Sequence, residues 1–174
     1  MKEQIVKLKT VAIGQIAPDF TQNDTEGNPV KFSDIYAQNE VTLLDFWAAW
    51  CGPCRGENPN VVAAYNKYKE KNFTVLGVSL DKTKGPWVDA IKKDGLVWQQ
   101  VSDLKGWSNA VAQLFGIQSI PQNFLLDPSG VVIDKLDALN IPWVSTHTSG
   151  TLKVVQQKGE LSVSAISKPF FYWQ

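Results

Sequence analysis

The stretch DFWAAWCGPCR, residues 45–55, holds both cysteines of this 174-residue chain, Cys51 and Cys54. Only Gly52 and Pro53 separate them. A bridge between them would close a tiny loop, and the entropic gain of a cross-link grows with loop length, so stapling the fold is a poor use for the pair. A structural zinc site would need two further ligands. The chain offers one histidine, His147, and no second cysteine pair, so no metal site is expected. What remains is thiol chemistry, and its strength depends on where the pair sits.

Upstream, VTLLDFW, residues 41–47, is a nearly continuous apolar run, the pattern of a strand buried on both faces. Asp45 alone interrupts it. Downstream, Val61, Ala64, Tyr65 and Tyr68 recur at helical spacing and predict a helix that begins at the cysteines. Cys51 then lies at the carboxyl end of a central strand and at a helix N-terminus, the edge of an α/β sheet where ligands and chemistry usually sit.

The alternation continues. FTVLGVSL, residues 73–80, reads as a second buried strand. Pro86 is expected to open a helix that Asp94-Gly95 ends. Residues 96–101 suggest an edge strand, and Trp107, Val111 and Leu114 mark a further helix ending at Gly116. NFLL, the turn DPSG and VVI predict a hairpin over residues 123–133. Near the start, a polar turn at residues 24–28 predicts another hairpin, followed by a brief helix capped by Ser33. The expected fold class is α/β: a central mixed β-sheet flanked by helices, with an N-terminal β-hairpin extension.

Bulk properties narrow the function. Seventeen basic and seventeen acidic side chains cancel, which gives no electrostatic case for nucleic acid or an anionic membrane as partner. No apolar run approaches the roughly 18 to 20 residues that span a bilayer. The opening MKEQIVKLKT has lysines but no apolar core of a secretory signal.

A thiolate is the nucleophile in disulfide exchange, and a free cysteine, with a pKa of about 8.5, is only a few per cent ionised at neutral pH. Unpaired N–H groups and partial positive charge in the first turn of a helix favour the thiolate. The spacing therefore makes Cys51 the attacking sulfur and Cys54, one turn further in, the resolving one. Gly52 leaves room for a partner's backbone and Pro53 stiffens the loop.

DFWAAWCGPCR resembles the active-site stretch of thioredoxin. The longer set, APDF near the start, CGPCRGENP with its glutamate three residues after the second cysteine, and IPQNFLLDPSG late in the chain, resembles the TlpA/ResA-like branch of thiol–disulfide oxidoreductases. The likeness covers about residues 13–133. It implies the thioredoxin-like fold and three further site residues, Pro121, Asp45 and Glu57. Pro121, after Ile120, matches the cis-proline beside the cysteines, where the backbone at Ile120 pairs with substrate. Asp45 matches a buried aspartate whose pKa burial should raise, suited to take the proton from Cys54. Glu57 matches the branch's glutamate near the same pair. Trp50 is expected on the exposed surface that receives a partner, and Trp47 in packing.

The resemblance implies a disulfide reductase. Gly-Pro between the cysteines is thioredoxin's, with a potential of about −270 mV, against roughly −120 mV for an oxidant such as DsbA. No cofactor is needed beyond the redox-active Cys51–Cys54 disulfide. Expected partners are client protein disulfides and an electron donor, with the chain a monomer. Two other functions compete. A peptide-binding module that keeps the fold would have no use for a low-pKa thiol. A thiol peroxidase, suggested by APDF, would carry Thr where Ala48 stands and would need a distant resolving cysteine.

Residues 13–134 are expected to form the thioredoxin-like domain. Residues 1–12 read as a linker or N-terminal extension, as if entering the catalytic part of a longer exported protein. The TlpA/ResA-like branch works outside the cytoplasm, so an extracytoplasmic setting (periplasm or cell envelope) is expected, with the cytoplasm the alternative. Residues 135–174 do not match the family. Pro142 and Gly150 oppose the usual closing helix. Strands are predicted instead at 151–155 and 161–166, before an aromatic end, Phe170 to Trp173. A tail foreign to the family would leave one face of the sheet poorly covered.

Overall fold

The computed structural model describes residues 11–137 and the backbone of three further strands between 146 and 165. A five-stranded sheet is built from β3 (Val41–Trp47), β4 (Phe73–Ser79), β5 (Gln99–Val101), β6 (Gln122–Leu126) and β7 (Val132–Asp137). Its order is β5-β4-β3-β6-β7. β4 runs parallel to β3 and β5, whereas β6 runs antiparallel to β3 and β7. The sheet is mixed, as expected, and β3 is central and buried at every residue.

The α-helices are α1 (Phe32–Tyr36), α2 (Gly52–Tyr68), α3 (Lys84–Asp94) and α4 (Ala110–Leu114). α2 buries Val61, Ala64 and Tyr68, the stripe read from the sequence. α3 starts two residues before Pro86, which therefore occupies the first turn rather than its first position. The missing N–H costs nothing there either, because none of the first four has a partner within the helix. Gly95 ends α3 at φ +69°, a conformation that suits a residue without Cβ. The expected helix from Trp107 to Gly116 is two pieces. Gly106–Ser108 form a 3-10 turn, and Asn109 then caps α4 with its side-chain oxygen. Trp107 consequently faces out instead of packing.

The N-terminal hairpin pairs β1 (Thr21–Asn23) with β2 (Pro29–Lys31). Its closing turn is held by Asp24 Oδ1, which accepts from the N–H groups of Glu26 and Asn28. The hairpin covers the β5 edge, where Ser102 N–H donates to the Asn23 carbonyl. At the other side, the N–H of Gly14 donates to the Val132 carbonyl and that of Val132 to Gln15. These contacts blunt the sheet edges. Ser33 does not cap α1. Asp19 Oδ1, from the APDF stretch, accepts from the N–H groups of Phe20 and Ser33 and does that work.

The core below the site is aromatic. Phe32, Phe46, Phe115 and Phe124 are fully buried and meet at ring centroid distances of 5.5 to 6.4 Å. Each such burial contributes about 1.5–3 kcal/mol. Val11, at the expected edge of the N-terminal extension, is also buried in this core.

Three strands follow: β8 (Thr146–Ser149), β9 (Leu152–Gln157) and β10 (Glu160–Ala165), an antiparallel meander whose last strand lies beside α2. Both strands read from the sequence are present: the first begins one residue later and ends two later than expected, and the second begins and ends one residue earlier. His147 falls on β8. Pro142, Gly150 and the aromatic end at residues 170–173 lie outside the described residues.

Candidate active site

β3 ends at Trp47, and four residues later Cys51 is the N-cap of α2, with φ −81° and ψ 99°. Cys51 and Cys54 form a disulfide with their Cα atoms 5.3 Å apart. The two sulfurs are not equally sheltered: Cys51 is 5% exposed and Cys54 1%. The N–H of Cys54 points at Cys51 Sγ from 3.2 Å. This donor is one of the unpaired amides of the first helical turn, and such amides favour negative charge on the atom they point at. Gly52 and Pro53 are exposed in that same turn, and a Cβ on Gly52 would meet nothing within 4 Å.

The loop before β6 closes the site from the other side. The Ile120–Pro121 peptide is cis, and the Ile120 carbonyl oxygen lies 3.7 Å from Cys51 Sγ. Chain topology makes this meeting possible, because β6 pairs antiparallel with β3 and begins where β3 ends.

Asp45 lies on β3, 4% exposed, opposite Asn123 of β6. Burial pushes its carboxyl up to about 7, and the nearby Glu57 carboxylate pushes in the same direction. With its amide oriented to satisfy its neighbours, Asn123 donates to Asp45 Oδ1 and to the Gln122 carbonyl, both at 2.8 Å. Glu57 is half-buried on α2. Burial raises its carboxyl as well, partly offset by a hydrogen bond from Asn60 at 3.2 Å. The structure thus brings the two carboxyls within reach of each other's charge, and Asp45 is the more deeply enclosed.

Trp50 is 55% exposed beside Cys51, and Trp47 is fully buried with its indole N–H donating to Gln100 Oε1 at 2.9 Å. Both placements match the expectation. The sequence reading missed the neighbours that hold this loop. The Ala49 N–H donates to Asp81 Oδ2 at 2.9 Å, and the Ala49 carbonyl accepts from Arg55 Nη1 at 3.0 Å. Asp81 is buried and also takes the Ser79 hydroxyl at 2.7 Å. Arg55 binds both oxygens of Asp94, which receives Asn58 Nδ2 at 2.7 Å as well. Burial alone would raise the Asp94 carboxyl, but the hydrogen bonds from Arg55 and Asn58 and the Arg55 charge outweigh it and hold the group below its ordinary value. Trp107, also missed, is 46% exposed with its ring 6.1 Å from that of Trp50. One signal was available for Asp94: an acid in the last turn of a helix opposes the macrodipole and needs a compensating partner.

Among the described residues, no group of three or more His, Cys, Asp or Glu side chains could hold a metal ion, and no helix is long and apolar enough to cross a membrane. Nothing in the site calls for a bound group to carry electrons, since the disulfide itself takes up two.

Comparison with known proteins agrees with this geometry. Residues 13–135 match the model of the AhpC/TSA family. The chain is 30% identical over 130 residues to the thiol-disulfide oxidoreductase ResA of Bacillus thuringiensis subsp. konkukian, covering 75% of this chain and 72% of that protein. Among solved structures it is similar to a thiol-disulfide oxidoreductase from Bacteroides fragilis, with TM-score 0.65, 38% identity and 70% and 89% of the two chains covered. It is also similar to the thioredoxin domain of a thiol-disulfide oxidoreductase from Bacteroides vulgatus, with TM-score 0.65, 37% identity and 71% and 87% covered. The chain belongs to the AhpC/TSA family, with the thioredoxin-like fold and the Cys-Gly-Pro-Cys site of a thiol–disulfide oxidoreductase.

Proposed function

We propose that the protein reduces disulfides in client proteins by dithiol–disulfide exchange. The single observation that carries this is the asymmetry of the Cys51–Cys54 pair: one sulfur at a helix start with an amide aimed at it, the other one turn deeper. In the reduced protein the Cys51 thiolate attacks a client disulfide, and one client sulfur leaves as a thiolate that takes a proton from solvent. Cys54 loses its proton to Asp45, assisted by Glu57, and attacks Cys51 Sγ. The second client sulfur leaves Cys51 as a thiolate and takes up a proton, either the one held by Asp45 or one from solvent, so that Asp45 returns to its carboxylate. Two electrons have passed to the client, and the protein holds its disulfide again, to be reduced by a dithiol donor.

Asp45 suits the proton step because a base with a pKa near 7 is half-ionised at neutral pH. Trp50, Gly52 and Pro53 form the exposed rim on which a client rests, and the Ile120 carbonyl before Pro121 is the backbone a client strand can meet. Residues 13–134 act as the catalytic domain in this reading. An extracytoplasmic setting is part of this reading, supported by the TlpA/ResA-like resemblance. Labelling the cysteines of cells with a membrane-impermeant thiol reagent tests that placement, and full protection in intact cells would argue for the cytoplasm.

The decisive measurement is the midpoint potential of the pair, titrated against a dithiothreitol redox buffer with thiols read by alkylation and mass. A midpoint near the thioredoxin value, about −270 mV, supports a reductase. A midpoint near about −120 mV reverses the direction and makes the protein a disulfide donor. A peroxidase is disfavoured because the only two cysteines are bonded to each other and buried Ala48 stands where that chemistry needs a hydroxyl.

A further inference from the structure

Apolar side chains exposed singly on a surface are ordinary. Trp50 and Trp107 are not single. They are the only exposed aromatic side chains among the described residues, and their ring centroids lie 6.1 Å apart at an interplanar angle of 54°. Trp50 directly precedes Cys51, so the pair stands beside the reactive sulfur.

Both rings are held from behind. The Ala49 peptide before Trp50 is pinned at its N–H by Asp81 and at its carbonyl by Arg55. Trp107 sits in the 3-10 turn Gly106–Ser108. Asn109 closes that turn: its N–H donates to the Gly106 carbonyl at 3.0 Å, and its side chain donates to the Ser79 carbonyl at the end of β4. Gly106, at φ +60°, is pressed against Lys82, where a Cβ would stand 2.8 Å from Lys82 Cε. The cap at Asn109 starts α4 after Trp107 and so keeps the indole out of the helix. This aromatic face is therefore present before any client arrives, and contact with it requires little further ordering.

Charge does not compete with the face. Trp50 also lines an open cavity of about 460 Å³ beside α3, where Ala49, Pro86 and Ala90 supply apolar wall. Its charges balance, with Arg55, Lys82 and Lys93 set against Asp81, Asp89 and the Asp94 bound to Arg55. The unbalanced feature beside Cys51 is apolar.

A mixed disulfide with Cys51 lays client chain over the residues around that sulfur. We infer that Trp107, together with Trp50, receives an aromatic or aliphatic side chain close in sequence to the client cysteine, which makes Trp107 a specificity residue. The inference rests on the reductase reading and adds a client class to it. An apolar neighbour covers both indoles and removes apolar area from water on each partner, and an aromatic one gains further from ring contact. A polar or charged neighbour gains neither. Trp107 has no part in the electron transfer itself.

The test uses the pre-reduced protein and four peptides that share one intramolecular disulfide loop and differ at one residue beside a cysteine, as Phe, Leu, Ser or Glu. Single-turnover reduction is followed by alkylation and mass. Each second-order rate constant is divided by that of dithiothreitol on the same peptide, which removes intrinsic differences among the disulfides. Phe and Leu should be fastest, with roughly five- to thirtyfold between Phe and Ser. The gap should persist at about 1 M salt, where charge acts only within ~3 Å. In Trp107→Ala the ratio of Phe to Ser should fall to about a third of its wild-type value or less, whereas Trp107→Phe, which keeps a ring, should retain most of it. A general loss of site geometry lowers all rates and leaves this ratio in place. Equal wild-type rates for Phe and Ser, a gap that vanishes in salt, a ratio unchanged in Trp107→Ala, or the same collapse in Trp107→Phe would overturn the inference while leaving the reductase reading intact. Failure of the wild-type protein to reduce any of the peptides would overturn both.

Discussion

Arg55 and Asp94 join the helix behind the disulfide to the end of the next helix, and the same guanidinium reaches back to the Ala49 carbonyl. The pair is largely shielded, with side-chain exposures of 25% and 13%. Removing the carboxylate by Asp94→Ala leaves both Arg55 and the buried Asn58 amide short of a partner. The expected loss of stability is about 1–3 kcal/mol, read by urea denaturation at pH 7. Asp94→Asn keeps an acceptor for one of the donors and should cost less.

The pH dependence of that contribution has a definite sign. Asp94 titrates lower in the folded protein than in the unfolded chain. Its stabilisation is therefore complete above the unfolded value near 4 and is lost as pH falls through the lower folded value. The stability gap between wild type and Asp94→Asn should be constant from pH 5 to 8 and close only in strong acid. A gap that closes already between pH 7 and 5 would mean that the carboxyl is not held low by Arg55.

Asp45 predicts the opposite slope. Its folded value, about 7, lies above the unfolded value near 4, so the native state binds the extra proton between those limits. Stability should fall as pH rises across that window and level off above it, at a total cost of up to about 4 kcal/mol. Asp45→Asn removes the cost, and the variant should be more stable than wild type at pH 8 and similar at pH 4. The same substitution should slow resolution of the mixed disulfide and flatten its rise through pH 7. Stopped-flow release of a client thiol measures that step.

Much of this was legible in the sequence because the signals were local. The apolar run before Cys51, the helical stripe after it and the turn residues of both hairpins each report on a few neighbouring positions. Cys51, Cys54 and the two acids proposed to serve them, Asp45 and Glu57, all lie within one strand-to-helix passage, so one motif marked them together. Arg55–Asp94, Asp81–Ala49 and Asp45–Asn123 could not be read in that way. Each joins residues 32 to 78 positions apart, and nothing in the chain near Arg55 says which acid it will meet. Trp107 was misplaced for a different reason. It fits the spacing of a helical stripe with Val111 and Leu114, but Asn109 caps a helix that starts after it. A capping side chain here overrode the apolar period.

Gly77, in the middle of β4, is required by a close approach. A Cβ there would stand 2.1 Å from Gln100 Oε1, the oxygen that accepts the Trp47 indole N–H. Gly77→Ala must push the Gln100 side chain away and strand a buried donor. The expected cost is about 1–3 kcal/mol, together with a shift in Trp47 fluorescence. Adding Gln100→Ala to Gly77→Ala makes room for the new methyl group, but the indole stays unpaired. The double variant should therefore recover only part of the loss, and full recovery would show that steric crowding was the entire effect.

Asn109 ties three parts of the fold together, and its replacement separates a cap from a network. Its Oδ1 accepts from the N–H groups of Val111 and Ala112 at 2.9 and 3.1 Å, and from Gln22 Nε2 at 3.3 Å. Its Nδ2 donates to the Ser79 carbonyl at 3.3 Å, at the carboxyl end of β4. Loss of a cap alone costs about 1 kcal/mol. Asn109→Ala also leaves buried Gln22 unpaired, and the expected total is about 2–3 kcal/mol. Gln22→Ala in the same background should then cost little further, because its partner is already gone. A double-mutant cycle by chemical denaturation reads this coupling. Strictly additive losses would mean that the hairpin is held at the sheet edge by its backbone contacts alone.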